Sequence, residues 1–257
     1  FSPRDRLLFA TLLPLTLRRA RAVIALSQHA KEEIINFFPY LDGKVHVTLL
    51  APSRLFRPVR APSILKDRRK FFGIRDDFIL AVGNLQPRKN ILRLINAFAH
   101  VRREGHPIQL VIVGKAQWRA SEIVARVKYL GLENDVIFTG YVSDQDLVLL
   151  YNAAKVFVYP SIYEGFGLPI IEAMACGVPV ITSNTSSMPE VAGDAAVLID
   201  PYNEHQIASA VLEIIGSDTL AKSLSERGFL QAQRFSWNRM AEATLKVYQA
   251  ATTYPKY

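Results

Sequence analysis

The chain has 257 residues, half of them hydrophobic, a single cysteine and a formal net charge of +8. That is enough apolar material for one large domain, or for one domain and part of another. The lone cysteine excludes an internal disulfide framework and suits a reducing cytoplasm, and no apolar run reaches the roughly 18 residues of a membrane span.

The chain begins Phe1-Ser2-Pro3-Arg4-Asp5, with neither an initiating Met nor a signal-cleavage pattern, and reads as a cut point. Residues 1–70 carry a net +9 and the remainder −1. Without zinc-ligand spacing or an RNA-recognition aromatic pattern, the basic segment reads first as solvated surface and not as a nucleic-acid site. Attraction to anionic lipid comes second, because residues 6–22 join an apolar stretch to a basic end, as interfacial helices do. A core-packing helix has the same pattern.

Short β-branched runs then alternate with helical patterns. Expected strands are Ala22–Leu26, Val45–Leu49, Phe78–Val82, Gln109–Val113, Val136–Thr139, Val156–Tyr159, Pro179–Thr182 and Ala196–Ile199. Expected helices are Gln28–Phe37, Ile91–Arg103, Ser121–Leu130, Asp144–Asn152, Leu168–Ala175, Glu204–Ile215, Leu220–Arg234 and Trp237–Ala250. Near-continuous apolar strands separated by helices predict an α/β fold, a Rossmann-like doubly wound parallel sheet covered on both faces. Residues 51–63 hold three prolines and no helical period, the composition of a linker. Two strand–helix units precede them, too few for an independent sheet, and six strands follow. The expected divisions are 1–57, the end of one Rossmann-like domain with its linker; 58–235, a complete second one; and 236–257, a terminal helix.

Strand Phe78–Val82 runs into GNLQPRKN, residues 83–90, and then a helix. Gly83 permits a sharp turn, and Arg88 and Lys89 stand just before a helix start, where anions are favoured. The plain alternative is a solvated basic loop. The Walker spacing is absent and no GxGxxG run occurs, which argues against a P-loop and against a nicotinamide dehydrogenase. Asp144-x-Asp146 has the form of a metal-binding triplet, but Ser143 or Asp144 also suits a helix cap, and acids are ordinary in a first turn. The five histidines show no zinc-ligand spacing and no GxSxG elbow is present, so no metal site is expected. Asn184-Thr185-Ser186 matches a glycosylation sequon, which a cytoplasmic chain would not use. Cys176, among Met174, Ala175 and Val178, reads as a buried thiol.

Residues 163–181, YEGFGLPIIEAMACGVPVI, hold two glutamates around a loop. Gly165, Gly167 and Pro169 forbid a continuous helix through both. A helix beginning near Gly167 or Leu168 accommodates Pro169 in its first turn. The amides of Phe166, Gly167 and Leu168 then form an anion seat, flanked by Glu164 from the loop and Glu172 from the helix. A carboxylate accepts two hydrogen bonds from a diol such as ribose or a hexose. The residues alone leave this reading level with a bland one, in which both acids merely favour a helix start.

AVGNLQPRKN, VIFTGYVSDQDLVLLYNAA, VFVYPSIYEGFGLPIIEAMACGVPVITSN and SSMPEVAGDAAVLIDP, in that order, resemble the C-terminal half of retaining glycosyltransferases of family 4, with the GT-B fold. The resemblance covers about residues 20–250. It implies two Rossmann-like domains facing across a cleft, with a nucleotide-sugar donor on the C-terminal one and no obligatory metal. It further implies that Lys89 binds the donor diphosphate with help from Arg88, beside Gly83 and Asn84. The amides around Gly165, Phe166, Gly167 and Leu168 would hold the distal phosphate. Glu164 would be the catalytic residue near the reacting carbon, Glu172 would bind the ribose diol, and Tyr141 and Val142 would lie against the base. Two departures stand out: Asn84 occupies a position where the family often has Arg, and most of the N-terminal, acceptor-side domain is absent. The resemblance therefore implies transfer of a hexose, mannose by the wording of the motifs, from GDP-mannose or a UDP-hexose to a glycan or lipid-linked acceptor. The expected setting is cytoplasmic, with membrane-peripheral contact as one option. The alternatives are a nucleotide-sugar-binding module without catalysis and, more weakly, a GT-B sugar epimerase.

Overall fold

The computed structural model describes residues 3–253 apart from 76 and 117–119; Phe1 and Ser2 lie outside the described residues. The chain divides into two compact units, residues 1–51 with 235–257, and residues 52–234.

In the first unit, helix α1 (Pro3–Arg19) precedes strand β1 (Val23–Ala25), helix α2 (Gln28–Phe37) and strand β2 (Val45–Val47), and helix α11 (Trp237–Thr253) joins them. β1 and β2 pair in parallel. A small core of Ala25, Leu41 and Val45 gathers Leu17, Val23, Ile34, Ile35 and Phe38. Ser27 fixes the start of α2 by accepting from the Ala30 amide at 3.0 Å.

The second unit contains helices α3 (Pro62–Phe71), α4 (Ile91–Arg103), α5 (Ala120–Tyr129), α6 (Asp144–Ala153), α7 (Leu168–Ala175), α8 (Met188–Ala192), α9 (Glu204–Ile215) and α10 (Asp218–Ala232). Its strands are β3 (Asp77–Val82), β4 (Ile108–Val113), β5 (Val136–Gly140), β6 (Val156–Tyr159), β7 (Val180–Ser183) and β8 (Val197–Ile199). All six pair in parallel in the order β5-β4-β3-β6-β7-β8. This is the doubly wound arrangement expected from the apolar runs. The buried pattern explains it: every residue of β4, β6 and β7 is buried, so helices must cover both faces. α4 presents Ile91, Leu94, Ile95, Phe98 and Val101 to the core at helical spacing.

Two elements escaped the sequence reading. α3 begins inside the stretch read as a linker. Its Pro62 is no breaker there, because a proline at the first helical position loses no needed hydrogen bond. α8 is a five-residue helix in the SSMPEVAG segment, too short to show a helical period. The histidines are not all scattered: His100 of α4 and His205 of α9 bring their rings to 4.5 Å, a contact that sequence separation hides.

Strand order reverses between β3 and β6. In an open parallel sheet the loops leaving such a pair diverge to opposite sides and leave a crevice at the carboxyl ends of the strands. The loops leaving β3 and β6 are residues 83–90 and 160–167.

Candidate donor-binding site

The two loops are laced together by their backbones. The Ile162 amide donates to the Arg88 carbonyl at 2.8 Å, and Asn90, in the left-handed conformation, donates through its carboxamide to the carbonyls of Pro160 and Pro201 at 3.0 and 2.6 Å. Gly83 leaves β3 with φ 152° and Gly114 leaves β4 with φ 149°. A Cβ on Gly114 would stand 2.2 Å from the Gly83 carbonyl oxygen, so the two strand ends meet as bare backbone. Asn84 fastens this corner: its side-chain oxygen accepts from the Lys115 amide at 3.1 Å. That oxygen is thereby committed to the loop, while the carboxamide nitrogen is the donor that a phosphate would take.

Arg88 and Lys89 converge on Glu164. Arg88 Nη1 lies 2.5 Å from one carboxylate oxygen and Lys89 Nζ 2.7 Å from the other. Arg88 also donates to the Tyr163 carbonyl at 3.2 Å. Glu164 is 8 % exposed and Lys89 9 %, while the Arg88 side chain is half exposed. Burial alone pushes the Glu164 carboxyl up, but the Lys89 ammonium and then Arg88 outweigh it and hold it below the usual range. Burial lowers Lys89, with Glu164 offsetting part of the effect. Glu164 is thus ionised, and both cations proposed from the sequence as phosphate ligands rest on it.

Its backbone is pinned as well. The Glu164 amide donates to Ser186 Oγ at 3.2 Å, and the Glu164 carbonyl oxygen lies 2.7 Å from Ser186 Oγ and 2.8 Å from Ser187 Oγ. Ser187 Oγ also lies 2.7 Å from the Phe166 carbonyl oxygen. Ser186 and Ser187 open the SSMPEVAG motif but received no role in the sequence, because nothing in their spacing shows that they reach the Glu164 backbone. Tyr159 was missed too: it ends an apolar strand, and only its hydroxyl, 2.6 Å from Lys89 Nζ, marks it as polar machinery.

α7 starts where the glycines and proline place it. Gly167 sits before it at φ 110°, Pro169 lies in its first turn, and no side chain caps it, whereas Ser143 caps α6 and Asn203 caps α9. Phe166 is buried and Gly165 exposed. Leu168 opens the helix. Glu172, one turn on, has different surroundings from Glu164. One of its oxygens accepts from the Tyr151 hydroxyl of α6 at 3.3 Å. Burial pushes its carboxyl up to about 7, with Tyr151 opposing and Asp144 adding to the rise.

After β5, Val142 is buried and Tyr141 is 72 % exposed, with the Lys115 ammonium 5.2 Å from its ring centre. An exposed aromatic face beside a cation at a strand end is a platform on which a flat base can stack. Asp146 pairs with Arg68 at 3.0 Å, and its amide donates to Ser143 Oγ, so the Asp144-x-Asp146 triplet acts as a helix start. Among the described residues no group of three His, Cys, Asp or Glu is placed to hold a metal. Cys176 is buried, and desolvation pushes its thiol up to about 12, as an inert core residue requires.

The family model of the glycosyl transferases group 1 matches residues 66–231. The chain belongs to this family. Among relatives of these group 1 glycosyl transferases, O-antigen chain mannosyltransferase B of Escherichia coli is 35 % identical over 251 residues, covering 97 % of this chain and 66 % of that protein. The serotype-specific mannosyltransferase WbdA of Escherichia coli is 33 % identical over 236 residues, covering 89 % of this chain and 28 % of that one. The chain therefore spans less than two thirds of either relative. The GT-B architecture is shared with Anabaena HepE, solved in complex with UDP and glucose, at a TM-score of 0.83 and 23 % identity, covering 99 % of this chain and 68 % of that chain.

Proposed function

We propose that residues 52–234 are the donor-binding half of a retaining glycosyltransferase, and that residues 1–51 with 235–257 belong to its acceptor-side half. The transferred sugar is a hexose. The mannosyltransferase relatives support mannose, and with it GDP-mannose before a UDP-hexose. They also support a glycan acceptor. The observation that carries the reading is the meeting of Arg88, Lys89 and Glu164 at the reversal of strand order, beside the uncapped start of α7.

In this reading Lys89 and Arg88 take the diphosphate, together with the amides of Phe166, Gly167 and Leu168. Glu172 accepts from the ribose hydroxyls and Tyr141 stacks on the base. Glu164 faces the hexose beside its anomeric carbon. As the bond from that carbon to the diphosphate oxygen breaks, its electron pair leaves with the phosphate and the sugar becomes oxocarbenium-like. Lys89, Arg88 and the helix start offset the charge growing on the phosphate, and the ionised Glu164 faces the growing positive charge on the sugar. The acceptor hydroxyl oxygen forms the new bond, and its proton passes to the departing phosphate. No step requires a metal.

The test is calorimetric titration of this chain with GDP-mannose, UDP-glucose, GDP and UDP, with and without EDTA. Binding of a nucleotide sugar in EDTA is expected. Absence of binding by all of them contradicts the reading.

No described helix is long and apolar enough to cross a membrane. The exposed Leu8, Phe9, Leu12, Leu13 and Leu15 of α1, followed by Arg18, Arg19 and Arg21, support contact with an anionic lipid surface from the cytoplasmic side. Flotation with vesicles containing phosphatidylglycerol tests this. Equal flotation with neutral vesicles, or none with either, contradicts it.

A further inference from the structure

Lys89 is a long, flexible side chain placed where a single position is needed. An unrestrained lysine loses rotamer freedom when it is fixed, so a site that aims its ammonium before the ligand arrives binds more tightly. Three features do the aiming here. The lysine stem runs along Gly83, where even a Cβ would come within 3.1 Å of Lys89 Cδ and Cε. Glu164 holds one face of the ammonium at 2.7 Å. Tyr159 Oη lies 2.6 Å from Nζ, and the ammonium sits 4.7 Å from the Tyr159 ring centre.

Of these, Tyr159 is the most rigidly held. It is the last residue of β6, paired with Thr182 of β7, and its carbonyl accepts from Thr182 Oγ1 at 3.0 Å. Its ring stacks on Phe157 at 5.8 Å and 25°, and it is 2 % exposed. Burial, then the neighbouring Glu164 carboxylate, keep the phenol protonated, so its proton remains available to Glu164 while its lone pair accepts from Lys89. Glu164, by contrast, is the group that must turn to a sugar.

We propose that Tyr159 is a positioning residue for the donor diphosphate: fixed by the sheet, its hydroxyl holds the Lys89 ammonium in place when Glu164 engages the sugar. The proposal rests on the donor-site reading above. An ammonium has three N–H bonds, so Tyr159 keeps one while the Glu164 carboxylate gives way to a phosphate oxygen at another. The charged and titratable groups facing Lys89 are Glu164 and Tyr159 from β6 and its loop and Arg88 from its own loop.

Two measurements on this chain test it. In the first, the Lys89 Cε and Nζ resonances are followed against pH without ligand. Tyr159→Phe keeps the ring and removes the acceptor, so Lys89 is expected to lose its proton at a lower pH. An unchanged Lys89 titration overturns the proposal. In the second, GDP affinity is measured for the wild type, Tyr159→Phe, Lys89→Met and the double variant. Tyr159→Phe is expected to weaken GDP binding about tenfold, the size of one hydrogen bond to a charged group. In the Lys89→Met background it is expected to add nothing. If the wild type binds GDP and Tyr159→Phe binds it equally well, or loses as much without Lys89, the proposal fails and the donor site stands. If the wild type binds no nucleotide, the donor-site reading fails and takes the role of Tyr159 with it.

Discussion

The Lys89 ammonium and the Glu164 carboxylate lie 2.7 Å apart, both largely shielded from water, and Arg88 closes on the same carboxylate from the other side. One carboxylate thus pairs with both cations that the proposed function assigns to the diphosphate. On that proposal, an entering diphosphate competes with Glu164 for Lys89 and Arg88.

Glu164→Gln should therefore separate binding from folding. Removing the anion leaves the Lys89 charge buried and uncompensated, so stability is expected to fall by about 1–3 kcal/mol, less than for a fully buried pair because Arg88 is half exposed. GDP affinity should rise, because both cations are released to the phosphates. Chemical denaturation and calorimetry on the same variant check both directions; weaker GDP binding with unchanged stability is the opposite outcome.

Glu172 provides the pH dependence. Its carboxyl is raised in the folded chain to about 7, so the folded state holds a proton that the unfolded state has released. The contribution to stability is present below the unfolded value and is lost as pH rises toward 7. Ribose hydroxyls donate best to the ionised carboxylate, so nucleotide-sugar affinity should increase as pH rises from 6 to 8. A nucleotide sugar is the right probe, because its phosphate diesters do not titrate in that range. Glu172→Gln should flatten the profile, and an equally steep profile in that variant would exclude Glu172 as its source.

Gly114→Ala tests the backbone corner beneath the site. The added Cβ would fall 2.2 Å from the Gly83 carbonyl oxygen and 2.5 Å from its carbon, so one strand end must move. The expected cost is about 1–3 kcal/mol of stability, with nucleotide affinity falling because the loop carrying Lys89 is displaced. Thermal unfolding and calorimetry read the two effects.

Ser187→Ala removes one hydroxyl that reaches two carbonyls, those of Glu164 and Phe166. The Glu164 carbonyl retains Ser186, so a loss of about 1–2 kcal/mol is expected, mainly from Phe166. Urea unfolding measures it.

The parallel sheet was legible because β4, β6 and β7 are buried throughout and their sequences are correspondingly apolar. The start of α7 was legible because glycine and proline leave few choices at 165–169. Glu164 and Glu172 stood out as charges beside that punctuation, and Lys89 as a charge just before the helix Ile91–Arg103. Less legible was anything set by distant contact. Tyr159 looked like the end of a strand and Ser186 and Ser187 like a turn, because hydrogen bonds across 22 to 70 residues decide their roles. The ion pairing of Lys89 with Glu164 was hidden for the same reason: the sequence marks both residues as polar machinery and gives no sign that they satisfy each other.

The most direct measurement is calorimetric titration of the chain with GDP-mannose in EDTA, run in parallel on Lys89→Ala. One-to-one binding in the wild type, weakened at least about tenfold in the variant, is the result that the site predicts. No binding by the wild type, or equal affinity in both proteins, would contradict it.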